Sequence, residues 1–234
     1  MSAAGRLGVG IIGGGRVGPV LGAGLAAAGH AITGIATVTE SNRERAQVML
    51  PDAPILEIPE LIERSELVLL AIPESEIEAL VAGLAATNTW QPGQLVMHTA
   101  PGLGYGVLQP AVLRGVIPLA VHPAMSFTGT SMDLVRLRES FCAVTAPTPV
   151  LPIAQALVVE LGAEPFIVAE EDRAAYAEAI STATSFSSAI VRQSIDLLAG
   201  IGLEWPGAVI APLVRSAVEN ALQSPAAPES PRFL

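Results

Sequence analysis

Three glycines set the first chemical expectation. Gly13, Gly15 and Gly18 stand in IIGGGRVG at the spacing G-x-G-x-x-G, with Arg16 and Val17 between the last two. The first glycine permits a tight turn, the second lets the main chain approach a pyrophosphate, and the third lets a helix pack closely on a sheet. The N-terminus of that helix then offers free N–H groups and a positive dipole end. Between a strand and a helix, the run reads as a dinucleotide-binding loop. NAD-type sites place Asp or Glu about 20 residues further on to accept from the ribose hydroxyls. Here Ala36-Thr37-Val38-Thr39 carries no acid, and TESNRERA follows with hydroxyls at Thr39 and Ser41 and guanidinium groups at Arg43 and Arg45. With Thr37, those donors suit a 2′-phosphate, so NADP is expected, with NAD still possible. A capped helix with solvated arginines is the alternative.

Other chemistries are excluded by what is missing. All 12 Lys+Arg residues are arginine, which removes Schiff-base catalysis, a lysine acid or base and the lysine of a P-loop. A single cysteine, Cys142, and three scattered histidines give no disulfide and no zinc-ligand spacing, so no metal is expected. A net charge of -10 argues against nucleic acid and anionic membrane surfaces. Ser181, Ser185, Ser188 and Arg192 would share one face of an uninterrupted helix. Such a stripe could line a cleft for a carboxylate or a close helix contact.

The elements that must carry these residues alternate. Residues 6–12, 32–38, 66–72, 94–98, 115–121 and 141–144 read as strands, and 17–28, 41–50, 59–64, 74–86 and 152–161 as helices. Strands that are apolar throughout and separated by helices indicate a mostly parallel sheet covered on both faces. Residues 17–39 lack Asp, Glu and Arg over a length that could span a bilayer, but Gly29-His30 breaks the run and AITGIATV favours a strand. Residues 172–198 contain no Pro or Gly and read as one long helix, and 205–222 as another, started by Pro206. The expected organisation is a Rossmann-like α/β domain at 1–148, a smaller all-helical domain at 149–222 and a frayed proline-rich tail at 223–234. A reducing cytoplasm is the expected compartment.

The motif order IIGGGRVG, LVLLAIPESEI, LVMHTAPGLG and LAVHPAMSFTGT resembles reductases of the 6-phosphogluconate dehydrogenase-like superfamily, related to pyrroline-carboxylate reductase. It is similar, more closely, to Rossmann-like oxidoreductases whose C-terminal part is a domain of unknown function. The resemblance implies that Ile72, Pro73, His98 and Thr99 lie along the cofactor, and that His122 stands near the nicotinamide. It also implies a homodimer built through the C-terminal helices. A histidine there can donate a proton as hydride arrives; alternatively, both histidines merely cap strand ends. Two departures bear on the substrate half. Ala100 stands where relatives carry a hydroxyl, and Thr182-Ala183-Thr184-Ser185 where they carry His-Ala-Ser-Asn. The expected function is therefore NADP-dependent reduction of a small carbonyl or imine compound, with a non-catalytic nucleotide-binding or sensing protein as the alternative.

Overall fold

The computed structural model describes residues 6–223. In chain order they form β1 (Gly8–Ile12), α1 (Gly18–Ala27), β2 (Ala31–Ala36), α2 (Glu40–Met49), α3 (Ile58–Glu63), β3 (Leu67–Leu70), α4 (Glu74–Ala86) and β4 (Leu95–His98). A 3-10 turn at Tyr105–Leu108 leads into α5 (Gln109–Val112), followed by β5 (Ile117–Pro123), α6 (Met132–Arg138), β6 (Phe141–Thr145), α7 (Leu151–Glu160) and β7 (Glu164–Ile167). Last come α8 (Arg173–Ser181), a π-helical turn at Thr182–Phe186, α9 (Ser187–Gly200) and α10 (Pro206–Gln223). The chain divides into two compact units between Glu178 and Ala179.

In the first unit the strands order as β2-β1-β3-β4-β5-β6-β7. β1 to β5 run parallel, β6 turns antiparallel to β5, and β7 pairs parallel with β6. β3 and β4 are buried at every position because helices cover both faces. On one face Ile11, Leu69, Met97 and Val121 pack with Leu21 and Leu25 of α1 and Leu157 of α7. On the other, Ile12, Leu70 and Val96 pack with Ile62 of α3 and Ile77 and Val81 of α4. The chain leaves β1 for β2 on one side and β3 on the other, so the crevice at the carboxyl ends of these strands is where such a sheet holds ligands.

The sheet runs past residue 148, the expected end of the first domain. β7 adds a strand at Glu164–Ile167 that the sequence reading did not contain, because EPFI is short and Pro165 fits only an edge. α7 therefore serves the sheet, not a helical domain: its Ala154, Leu157 and Val158 are buried against it. In the second unit α9 and α10 pack as a hairpin across a turn in which Gly202 takes φ +87°. The long helix expected at 172–198 continues through the π turn, whose extra residue rotates everything beyond it by roughly 100°. Ser181 consequently does not share a straight face with Ser188 and Arg192, and the hydroxyl of Ser188 donates to the carbonyl of Thr184, 2.8 Å away. The tail from residue 224 lies outside the described residues. Among them, no helix is long and apolar enough to cross a membrane.

Candidate cofactor and catalytic site

The glycine loop is assembled as the sequence leads one to expect, with unequal roles for its glycines. Gly13 takes φ +117°, its N–H donates to the Ala36 carbonyl at 2.9 Å, and a Cβ there would overlap the Ala71 carbonyl. A Cβ on Gly18 would overlap the carbonyl oxygen of Gly13 and press on Ile11. These two glycines let β1, β3 and α1 approach one another. At Gly15, by contrast, a Cβ would meet nothing within 4 Å. α1 begins with Pro19 in its first turn, without a side-chain cap and without an acid, which leaves its positive end unmatched. An open main-chain loop before an unneutralised helix N-terminus fits a dinucleotide pyrophosphate.

A cleft of about 810 Å³ opens from this loop. Gly13, Gly14, Gly15, Thr37, Asn42, Arg43, Ile72 and Pro73 line it. The hydroxyl of Thr39 accepts from the Asn42 N–H at 3.3 Å, so it starts α2 and sets Asn42 and Arg43 at the rim. Arg43 reaches Glu40 only at 3.9 Å and is half exposed. Arg45 instead donates to the Asn42 side-chain oxygen at 2.8 Å. Arg16, Val17 and Thr99 do not line this cleft. Arg16 is exposed, and its stem and that of Arg45 pack near Gly129 in the loop after β5. Asp133, buried at the start of α6, holds that loop through the amides of Thr128 and Gly129 at 2.7 and 2.8 Å. Although burial opposes it, these donors keep the Asp133 carboxyl below its usual range.

His98 ends β4 fully buried. Its Nε2 donates to the Gly104 carbonyl at 2.9 Å and its Nδ1 accepts from the Ala100 N–H at 3.3 Å. Both ring nitrogens are thus used to shape the loop after β4, the capping arrangement, and none is left for a substrate. Burial and, secondarily, the cation of Arg173 pull His98 down to about 4, so it is neutral. Two carboxylates hold the same loop. Glu74 accepts from Gly102 at 3.0 Å, and Glu170 accepts from Tyr105 and Gly106 at 2.9 and 2.8 Å.

His122 is placed differently, near the carboxyl end of β5. Its Nδ1 lies 2.8 Å from the Tyr176 hydroxyl, with the rings edge to face at 5.6 Å. Burial, helped by Arg173, brings His122 down to about 4, so its imidazole is neutral at pH 7. Tyr176 is half-buried, and burial raises its hydroxyl above the ordinary value. Sequence reading placed His122 correctly at the strand end but did not select Arg173, one turn before Tyr176. That arginine is 1% exposed and ties β5 to β6: Nε donates to Thr145 Oγ1 at 2.7 Å, and Nη2 to the carbonyls of Ala120 and Ala143 at 2.9 and 3.2 Å. The only available signal was the i, i+3 pair in DRAAYAEAI, which is indistinguishable from an ordinary solvated helix face until β7 and α8 are placed.

Residues 2–123 match the Rossmann-like domain family, and residues 140–229 match a domain of unknown function, DUF2520. No curated protein matches the sequence. Among solved structures the chain is similar to a Bacteroides fragilis protein described as an NADP oxidoreductase, at 18% identity and TM-score 0.75 over 94% of this chain and 82% of that one. It is also similar to a Streptococcus pyogenes 1-pyrroline-5-carboxylate reductase, at 18% identity and TM-score 0.69 over 95% and 82%. A Streptomyces aurantiacus imine reductase matches at 16% identity and TM-score 0.71 over 92% and 74%. At such identities the likeness is one of fold. With the first family model covering more than half of its length and the glycine loop built to the pattern, the chain belongs to the Rossmann-like domain family and carries a DUF2520 domain behind it.

Proposed function

We propose that this protein is an NADP-dependent reductase that delivers hydride to the carbon of a small carbonyl or imine compound. The observation that carries the reading is the cleft itself. Open space at Gly15 precedes an uncapped helix N-terminus, and the lining just after β2 offers Thr37, Asn42 and Arg43 at the place where an NAD site would offer a carboxylate, the acids of the lining, Glu57, Glu60 and Glu76, standing on later segments. Main-chain amides of the loop would hold the pyrophosphate, and Thr37 and Arg43 the 2′-phosphate. Bound there, the reduced nicotinamide would supply hydride. Ile72 and Pro73, which line the cleft after β3, would flank it, and the His122–Tyr176 pair on β5 and α8, outside that lining, would move the proton. The names of the similar structures, an imine reductase and a pyrroline-carboxylate reductase among them, agree with this class of chemistry.

The test is NADPH oxidation against a panel of ketones, aldehydes and cyclic imines. At least one compound should turn over, and His122→Asn should lower its kcat by about 10² to 10⁴ while leaving NADPH affinity unchanged. NADPH that binds but is oxidised by no member of the panel would favour a nucleotide-binding protein without chemistry. We further propose that two copies associate through the helices after Glu178, whose apolar residues are exposed in the single chain.

A further inference from the structure

Arg173 is a buried cation with no carboxylate among its hydrogen-bond partners in the described residues. Thr145 Oγ1 and the carbonyls of Ala120 and Ala143, which accept from its Nε and Nη2, are all neutral. Its Nη1 is buried and has no hydrogen-bond partner among the described residues. The nearby acid, Glu170, favours the cation through space but makes no direct pair with it, each carboxylate oxygen being engaged by a main-chain amide, of Tyr105 and of Gly106. A buried charge without a direct ion pair is costly, and tying β5 to β6 needs donors but no charge.

What lies beside that charge is Tyr176. The guanidinium carbon is 5.9 Å from the centre of the tyrosine ring. Phe166 of β7 packs edge-on against the same ring, also at 5.9 Å. The titratable groups facing the phenol are His122 from β5, Cys142 from β6 and Arg173 from its own helix. His122 is neutral, and Cys142 is held protonated by burial, which pushes its thiol up to about 12. Arg173 is therefore the one charge acting on Tyr176 at neutral pH among these groups, and it opposes the burial that otherwise keeps the phenol protonated.

We propose that Arg173 is a positioning residue for proton transfer, the fixed charge that allows Tyr176 to give its hydroxyl proton to the substrate. The proposal rests on the reductase reading above. When the substrate carbon accepts hydride from a reduced nicotinamide dinucleotide, the C=O or C=N π pair moves onto oxygen or nitrogen. That atom bonds to the Tyr176 proton as the phenolic O–H breaks, and the electron pair stays on the tyrosine oxygen. The resulting phenolate faces the Arg173 cation and accepts from His122 Nδ1–H until solvent returns the proton. His122 in this scheme orients the phenol and stabilises it; Tyr176 is the donor.

The chain has 2 tyrosines, so Tyr105→Phe leaves Tyr176 as the only phenol to titrate. In that background, ultraviolet absorbance after rapid pH jumps, ahead of alkaline unfolding, reads the Tyr176 midpoint without cofactor or substrate. Arg173→Gln should raise the midpoint by about one to two pH units, as expected for a unit charge roughly 6 to 8 Å away at an effective dielectric near 20. Arg173→Lys, which keeps the charge and loses the fork, should stay within about half a unit of the parent. If Arg173→Gln does not fold, Arg173→Met, which also removes the charge, should show the same upward shift. A midpoint unchanged in Arg173→Gln, or displaced upward in Arg173→Lys by a full unit, would reduce Arg173 to a strand tie and overturn the proposal. On any compound the panel identifies, Tyr176→Phe should lower kcat by about 10² or more. Turnover intact in Tyr176→Phe would overturn the proposal while leaving the reductase reading in place. An inert panel would sink the reductase reading, and the titration would still report whether Arg173 acts on the phenol.

Discussion

Gly13, Gly15 and Gly18 share one motif yet fail differently when substituted, and that difference separates architecture from binding. Gly15→Val puts its side chain into open space, so the protein should melt as the parent does while NADPH binding, followed by titration calorimetry, disappears. Gly18→Ala drives a methyl into the Gly13 carbonyl and should cost about 1 to 3 kcal/mol in urea unfolding. The spacing in the sequence identified all three positions; only the contacts show which one borders open space. The arginines divide in the same way. Both Arg43 and Arg45 were candidates for a 2′-phosphate, but Arg45 is hydrogen-bonded to Asn42, whereas Arg43 lines the cleft and is nearly free. Arg43→Ala should therefore narrow the preference for NADPH over NADH by roughly 10 to 150-fold, the worth of a charge-assisted bond of about 1.5 to 3 kcal/mol. Arg45→Ala should change it much less.

At the scale of elements, the loop after β4 is the part whose chemistry the sequence hid. HTAPG suggested a histidine and a hydroxyl along the cofactor; folded, His98 is a buried brace for Gly104 and Ala100. The unfolded chain protonates that imidazole near 6.5, while the folded chain resists until about 4. Over that window the unfolded state binds more protons, so stability is intact above 6.5 and declines as pH falls toward 4. His98 accounts for about 3 kcal/mol of that decline. Urea unfolding from pH 7 to 4.5 should show the loss, and His98→Gln should reduce the slope to about half, the rest coming from His122, which burial lowers alike. Apolar strands such as LVLL and helices such as Glu74–Ala86 were legible because burial on both faces and heptad-scale spacing leave a direct mark on sequence. β7, α6 and the π turn were not. An edge strand with a proline, a seven-residue helix organised by the buried Asp133, and an inserted helical residue depend on tertiary contacts that no local window contains.

For the whole molecule, the sequence conveyed a parallel sheet wound around a cofactor loop and helices following it, but misjudged where the sheet stops. The second unit has an outside it cannot cover alone. Phe186, Ile190, Leu197 and Leu213 are 63 to 69% exposed, and Ile210 alone among the described residues after Glu178 is buried. Sedimentation at micromolar concentration should give a dimer, and Ile190→Asp with Leu213→Asp should give a folded monomer; a monomeric parent would reject the association. If the crevice among β1, β2 and β3 is an NADP site, paired calorimetric titrations of the unmodified protein with NADPH and NADH will show it. One site per chain is expected, with NADPH bound at least about 10-fold more tightly. Equal affinity for the two, or binding of neither, would contradict it.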